Sequence, residues 1–253
     1  MEASLQACLD TSLKNLKLPT ILREYSEAAH ASLELKQSYE QFLLSLAKRE
    51  VEQRFNNKVK YLLKRAKFPN EKTLDSYDFK QIDIQKESIL QLCHGNFLSD
   101  FSNIIFFGTP GTGKTHLAMA IGRELCLKGK KVLFFTGCGL IQELAKAKNN
   151  LTLTNFFKKM MVYDLIIIDE LGYIPFDKTE GDLLFQFISD RYERKSVMIT
   201  TNLAFSEWDV LFKDKMLASA AIDRIVHHSQ VFKFEKNTSF RAEAAKKKLI
   251  KKK

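Results

Sequence analysis

The first 67 residues place their apolar side chains at a helical period. Leucines three or four residues apart mark the first helix: Leu5, Leu9, Leu13 and Leu16. Pro19 separates this run from a second helix that begins near Thr20. A longer helix is predicted from about residue 38 to residue 66, and Lys67-Phe-Pro-Asn70 ends it. The pattern therefore predicts a small all-α N-terminal domain over residues 1–70.

The second half of the long helix separates an apolar stripe from basic positions. The stripe follows i, i+4, i+7 and i+11 spacing, at Phe55, Val59, Leu62 and Ala66. Because residues at this spacing share one helix face, we expect these side chains to pack inward. Four cations lie off the stripe: Lys58, Lys60, Lys64 and Arg65. We expect these four side chains to face solvent, where they can meet a DNA backbone.

From Asn103 onwards, short apolar runs alternate with helical segments, which is the pattern of βαβ units around a parallel sheet. Five runs are predicted as strands: Ile104–Phe107, Val132–Thr136, Leu165–Asp169, Val197–Thr201 and Val231–Phe234. Because these runs are continuously apolar, we expect both sheet faces to be buried. The predicted class is α/β over residues 103–245. A connector with a helix at Gln85–Cys93 occupies residues 71–102, and a basic tail occupies residues 246–253.

Positive charge is concentrated in two segments of the chain, whose net charge is +10. Residues 48–67 hold eight Lys or Arg and two Glu, and residues 246–253 hold six Lys and no acid. These segments together carry more positive charge than the whole chain, so the remainder is close to neutral. Clustered positive charge is typical of surfaces that bind nucleic acid. The alternatives are a solvated helix face and a solubilising tail.

Membrane association and metal-binding cysteines are not indicated. No apolar run approaches the roughly 20 residues that a membrane-spanning helix needs. The cysteines show no metal-binding spacing and stand among apolar neighbours: Cys8, Cys93, Cys126 and Cys138. The sequence thus predicts a reduced, cytoplasmic protein whose cysteines act as small hydrophobic residues.

The strongest chemical motif is G-x-x-x-x-G-K-[ST], matched at every specified position between a predicted strand and an amphipathic helix. Its residues are Gly108, Thr109, Pro110, Gly111, Thr112, Gly113, Lys114 and Thr115. Glycines let the loop wrap closely around phosphates, and backbone N–H groups at the helix N-terminus attract the anion. Lys114 is expected to reach the β- and γ-phosphates of ATP, and the Thr115 hydroxyl to bind Mg²⁺.

Two acids complete the predicted nucleotide site. The buried strand Leu165–Asp169 ends in Asp169 and is followed by Glu170, at the sheet edge where open α/β sheets bind ligands. Asp169 is predicted to hold Mg²⁺ through its water shell. Glu170 is predicted to orient and polarise the attacking water, which favours ATP hydrolysis over phosphoryl transfer to another substrate.

Two interpretations are open for Asn202, for Arg224 and for the pair His227-His228. Asn202 follows a predicted strand, where an amide can hold water or sense the γ-phosphate, or simply form a turn. Arg224 can act as an arginine finger on a neighbouring subunit or pair with Asp223 or another nearby acid; the residues alone favour the pair. His227 and His228 resemble a metal site. However, adjacent residues point in different directions and no Cys, His or Asp partner has the spacing of a metal ligand, so a structural role is expected.

These motifs together resemble the IstB/DnaC group of AAA+ ATPases. The resemblance rests on Leu16-Lys-Leu-Pro-Thr20 with the basic helix, the P-loop, Ile168–Tyr173, Asp190-Arg-Tyr192 and Ala221–His228, in order along nearly the whole chain. It is closer to the IstB branch, the helper ATPases of bacterial insertion sequences, than to the DnaC helicase loaders. The segment Thr238–Arg241 and the lysine tail depart from the family pattern, which leaves a phosphate-sensing role for Arg241 without support.

The resemblance implies an AAA+ core of five parallel strands. It also implies that Asn202 acts as sensor 1 and Arg224 as the arginine finger, which reverses the interpretation from the residues alone. Such proteins assemble as ATP-dependent oligomers on double-stranded DNA and recruit a transposase encoded alongside. The alternatives are a replicative helicase loader and a small-molecule kinase. Glu170 disfavours the kinase, and the basic helix favours direct DNA contact over docking on a helicase.

Overall fold

The computed structural model describes residues 2–79, 84–172 and 176–235. Contacts divide the chain into two compact units, Met1–Tyr61 and Leu62–Lys253. Within the described ranges, every helix is too short or too polar to span a bilayer. The domain boundaries expected at residues 70, 102 and 245 stay predictions.

Helices build the first unit, as the apolar period predicts. They are α1 (Glu2–Asn15), α2 (Pro19–Glu34) and α3 (Tyr39–Arg65), the last of which continues into the second unit. Pro19 is the first residue of α2, a position where the missing backbone N–H costs nothing because it would have no intrahelical partner.

A buried carboxylate organises the start of α2. Leu18, which precedes this helix, has no side-chain group that could accept the first N–H bonds. Glu50 supplies the acceptor: its Oε2 receives the N–H groups of Thr20 at 2.8 Å and Ile21 at 3.1 Å, and its Oε1 receives Arg54 Nε at 2.8 Å. Burial raises the pKa of Glu50, but these hydrogen bonds outweigh it and hold the pKa below its ordinary value.

The apolar stripe of α3 is only partly buried. Val59, Leu62 and Ala66 are buried, as predicted, whereas Phe55 is 44% exposed. The predicted inward packing of Phe55 is therefore wrong. Phe55 lies one helical turn before Val59, so the buried part of the stripe begins a turn later than the spacing indicates.

The second unit is built on five parallel strands in the order β2-β3-β4-β1-β5, which confirms the predicted α/β class. The strands are β1 (Asn103–Gly108), β2 (Val132–Thr136), β3 (Leu165–Asp169), β4 (Ser196–Thr201) and β5 (Ser229–Phe234). The helices are α4 (Lys86–His94), α5 (Lys114–Leu127), α6 (Gly137–Asn149), α7 (Leu153–Met160), α8 (Lys178–Arg191), α9 (Trp208–Phe212) and α10 (Lys215–Val226).

Two hydrophobic clusters cover the two faces of the sheet. Ile105 of β1 belongs to the cluster that includes side chains of α6, α8, α9 and α10. Its neighbours Ile104 and Phe106 belong to the cluster that includes α4 and α5. The strand thus alternates its side chains between two covered faces, which explains the continuous apolar runs.

The last strand does not follow this rule, and the prediction of two buried faces is wrong for it. Its burial is incomplete, with Val231 45% exposed. The reason is position: among the described strands β5 pairs with β1 alone, so it forms one edge of the sheet.

Arg191 holds together the segments that lead into β3 and β4. It is 1% exposed, and its guanidinium donates to the backbone oxygens of Met160 at 2.9 Å, Tyr163 at 3.2 Å and Ser196 at 2.8 Å. Burial lowers its pKa to about 9. Arg191 therefore has a structural role.

Replacing Arg191 with Met should lower the free energy of unfolding by about 3 kcal/mol or more, because buried carbonyl groups lose their donors. Urea unfolding of the full chain measures this. The matched control is Arg194→Met: Arg194 is 58% exposed and pairs with Asp190 at 3.1 Å, so a change below about 1 kcal/mol is expected. Equal losses in both variants would contradict the assignment.

Candidate nucleotide site

The loop between β1 and α5 requires glycine at two positions. Gly108 has φ 140° and Gly113 has φ 91°, values that side chains with a Cβ rarely adopt. A Cβ on Gly108 would overlap the carbonyl group of Phe234, and one on Gly113 would lie 2.6 Å from the Tyr77 ring. The backbone is thus shaped as a closed cradle at the N-terminus of α5, the geometry that binds phosphate.

Lys114 is folded back into this cradle. Its side chain is buried, and its Nζ donates to the carbonyl oxygens of Gly108 and Thr109, both at 2.8 Å. The Thr112 hydroxyl donates to the same Thr109 oxygen at 2.8 Å. The ammonium group therefore lies inside the loop, where it would attract the negative charge of a bound phosphate.

The two predicted magnesium ligands meet at the end of β3. Asp169 is 4% exposed, and its carboxylate accepts a hydrogen bond from the Thr200 hydroxyl at 2.6 Å. Burial raises the pKa of Asp169, while the hydroxyls of Thr200 and Thr115 and the charge of Lys114 oppose the rise, so Thr115 lies beside this carboxylate. A hydroxyl and a carboxylate are oxygen donors, the type that Mg²⁺ prefers, so the residues fit this ion.

Glu170 stands beside Asp169 with an exposed side chain. Its φ of 56° is unusual for a residue other than glycine, and its N–H donates to Thr200 Oγ1 at 2.8 Å. Thr200 thus orients both acids. Thr200 has no predicted role, although a hydroxyl near the end of the apolar strand Val197–Thr201 is a signal that the sequence offers.

Tyr77 of the connector is a second residue that the sequence did not indicate. It is 8% exposed, and its hydroxyl donates to the carbonyl oxygen of Thr112 at 3.2 Å. Burial raises its pKa. Nearby, His116 Nε2 lies 2.9 Å from the carbonyl oxygen of Thr73 and 3.2 Å from Ser76 Oγ. The connector therefore supports the loop and the first turn of α5. No sequence motif predicts this long-range contact.

Asn202 follows β4 directly and has an exposed side chain. In the register of the two strands, Thr201 pairs with Phe107. Asn202 is therefore beside Gly108 at the carboxyl edge of the sheet, where the sequence expects it. Its role as a phosphate sensor stays a prediction.

Arg224 lies elsewhere. It belongs to the last turn of α10, which leads into β5, and Ser229 of β5 pairs with Asn103 at the start of β1. The opposite end of β1 carries Gly108, about 17 Å away at the usual rise of a strand. Arg224 therefore lies toward the amino ends of the strands, whereas the P-loop of the same chain lies at their carboxyl ends.

The environment of Arg224 is apolar on one side. Its guanidinium carbon lies 4.5 Å from the centre of the Phe185 ring of α8, a cation–π contact. Its buried Nη1 has no hydrogen-bond partner, and within the described ranges Arg224 forms no ion pair with Asp223 or another acid. The pair favoured by the residues alone is absent there.

The four cations predicted to bind DNA are all exposed: Lys58, Lys60, Lys64 and Arg65. Arg65 Nη2 lies 3.4 Å from the Tyr163 hydroxyl. Lys64 lines a surface cavity of about 530 Å³ together with Lys67 and Arg123. The exposure agrees with the expectation, and DNA contact stays a prediction.

Two further predictions concern the histidine pair and the residues outside the described ranges. Glu193 approaches His227 and His228, and one candidate ligand atom from each lies within 4.8 Å of the others. The fold thus brings to the histidine pair a carboxylate that the spacing in sequence does not indicate, and the structural role expected for the pair stays a prediction. Tyr173, Arg241 and the tail over residues 246–253 lie outside the described residues.

Solved structures with a similar fold include the DnaC helicase loader and DnaA. The DnaC helicase loader superposes with a TM-score of 0.55 at 23% identity, over 65% of this chain and 97% of that chain. AMPPCP-bound DnaA from Aquifex aeolicus gives a TM-score of 0.57 at 19% identity, over 73% of this chain and 56% of that chain. At these identities the likeness shows the AAA+ fold and nothing more specific.

Similarity in sequence is closer to proteins of insertion sequences. A protein named as an ATP-binding protein of insertion sequence IS232, from Bacillus thuringiensis subsp. berliner, is 37% identical over 88% of this chain and 90% of its own length. A counterpart of IS21 from Pseudomonas aeruginosa is 32% identical over 94% of this chain and 90% of its own length. The family model of IstB-like ATP-binding proteins matches residues 11–248. The chain belongs to the family of IstB-like ATP-binding proteins of insertion sequences, with an AAA+ fold.

Proposed function

We propose that the chain hydrolyses ATP and, as an ATP-dependent oligomer on double-stranded DNA, recruits or activates the transposase of its insertion sequence. The observation that carries the ATPase part is the proximity of Thr115 and Lys114 to the Asp169 carboxylate, which brings the P-loop beside the acids after β3. Family membership supports ATP binding. Hydrolysis, DNA binding and the transposase partner are the proposal.

Each residue at the site has a defined part in this proposal. Lys114 exchanges its carbonyl partners for phosphate oxygens of ATP, and Thr115 and Asp169 hold Mg²⁺. When bound, this ion neutralises charge on the phosphates. Glu170 accepts a proton from the attacking water, and its exposed side chain beside Asp169 supports that role. Asn202 holds the water or the γ-phosphate in place.

The fold alone does not separate this function from helicase loading, because the likeness to the DnaC loader is at the level of architecture. The relatives of insertion sequences IS232 and IS21 favour transposition, since they match about nine-tenths of their own length. Exposed cations on α3 support direct contact with DNA phosphates.

Duplex DNA binding should therefore depend on salt and tolerate sequence changes. Each phosphate neutralised by Lys or Arg releases counterions, so log affinity falls with log salt by about 0.9 per contact. Changing Lys58, Lys60, Lys64 and Arg65 together to Ala should weaken binding uniformly across sequences. The slope of log affinity against log salt should become shallower by the amount that corresponds to about two to four phosphate contacts. Basal ATP hydrolysis without DNA should be retained.

The matched control removes the same charge from another exposed region. Lys146, Lys148, Lys158 and Lys159 are exposed residues of α6 and α7. Their replacement by Ala should leave most of the slope intact. Fluorescence anisotropy at several salt concentrations, with and without ATP, measures both variants. If the α3 variant retained the affinity and slope of the parent, helicase loading would become the better proposal.

A further inference from the structure

We propose that Glu193, His227 and His228 form a surface site for a divalent transition-metal ion of the zinc class. One candidate ligand atom from each residue lies within 4.8 Å of the other two. His228 Nε2 is 3.2 Å from Glu193 Oε1, and the two imidazole rings are 4.2 Å apart between centroids. Two imidazoles and one carboxylate are a donor set that zinc uses in proteins, with water in the fourth position.

The geometry requires only a small adjustment. Ligand atoms around tetrahedral zinc lie about 3.3 Å apart, given metal–ligand distances of about 2.0–2.1 Å. The His228–Glu193 distance already has this value, and the third ligand must approach by about 1.5 Å at most. All three side chains are exposed, so rotation about their side-chain bonds can supply this movement.

A neighbouring hydroxyl supports the arrangement. Tyr192 Oη lies 3.0 Å from His227 Nδ1, which leaves the other ring nitrogen of His227 for an ion. Hydrogen bonds of this kind to the second nitrogen orient metal-bound imidazoles and tune their affinity. The ring of Tyr192 also lies alongside the ring of His228, at 6.3 Å between centroids.

The site would join two turns of the fold. Glu193 lies between α8 and β4, and the two histidines lie between α10 and β5. These are also the helices that carry Phe185 and Arg224, which contact each other. A bound ion would therefore tie together the ends of the two helices that position Arg224.

Titration of the nucleotide-free full chain with Co²⁺, followed by visible absorption, tests this site. Excess Mg²⁺ is added so that Co²⁺ does not bind at Asp169. All proteins also carry Cys8→Ser and Cys138→Ser, because these two cysteines are not buried and thiolates also bind Co²⁺. The parent should bind one ion per chain. His227→Ala, His228→Ala and Glu193→Gln should each weaken binding at least about tenfold.

The controls are His30→Ala and His94→Ala, which remove exposed imidazoles elsewhere and should leave affinity unchanged. Zn²⁺ should raise the Tm of the parent and of both controls, but not of the three site variants, since an ion that binds only the folded chain stabilises it. A hydrogen-bonded surface cluster without metal affinity would give no saturable binding in the parent, or equal affinity in parent and site variants. Either result overturns the proposal.

Discussion

Replacing Glu170 with Gln should reduce kcat for ATP hydrolysis by at least about a hundredfold while leaving the Kd for ATP unchanged. Loss of a general base costs about 10²–10⁴ in rate. The amide keeps the size of the side chain but cannot accept the proton from water. Binding should persist because Lys114 and the loop backbone, which hold the phosphates, are untouched. Single-turnover hydrolysis and binding of a fluorescent ATP analogue measure the two quantities.

The control for this variant is Glu143→Gln, an exposed glutamate of α6, which should hydrolyse ATP at the parental rate. Glu170→Gln should also accumulate the ATP-bound oligomer, since assembly continues when hydrolysis stops. Normal hydrolysis by Glu170→Gln would show that another group activates the water. A loss of ATP binding would instead assign Glu170 to the binding site itself.

Local patterns locate the strands, because these are short, apolar and separated by helical segments. The bounds of β2 and β3 agree with the predicted ones, and the order of strands follows from no single segment. The edge position of β5 was not accessible to periodicity, because exposure of an edge strand depends on which strands pair. Phe55 likewise continues the apolar stripe in sequence, although it is exposed in the fold.

The nucleotide site was predictable to the extent that its residues are contiguous. The loop from Gly108 to Thr115 and the acids after β3 are local motifs, and Asp169 lies near Thr115. Thr200 and Tyr77 were missed because their roles depend on contacts across 31 and 35 residues. The same limit applies to Glu193, which is 35 residues from His228.

Arg224 should be needed for hydrolysis by a neighbouring subunit. It lies toward the amino ends of the strands, opposite to the P-loop of the same chain. Within one chain it therefore does not face the bound phosphates. A neighbour in a head-to-tail oligomer can present that end of the sheet to the next loop, because such an interface joins two different surfaces. The guanidinium keeps one nitrogen, Nη1, whose N–H groups have no hydrogen-bond partner among the described residues and can donate to a phosphate oxygen.

Arg224→Ala should therefore bind ATP with parental Kd and lose about 10³-fold in kcat, within the range known for arginine fingers. The matched control is Arg194→Ala, an exposed arginine paired with Asp190, which should keep parental activity. Thermal unfolding reports whether loss of the Phe185 contact alone lowers stability. A variant that binds ATP and assembles with little change in Tm, yet fails to hydrolyse, separates a catalytic role from a structural one.

Mixing the Arg224→Ala and Lys114→Ala proteins gives the decisive measurement. The first has an intact loop without the arginine, and the second has the arginine without a functional loop. In a randomly mixed oligomer, about a quarter of the interfaces join the intact loop of one to the arginine of the other. The mixture should thus recover up to about a quarter of parental hydrolysis. If the proteins co-assembled without recovery, Arg224 would act within its own chain, through its packing on Phe185.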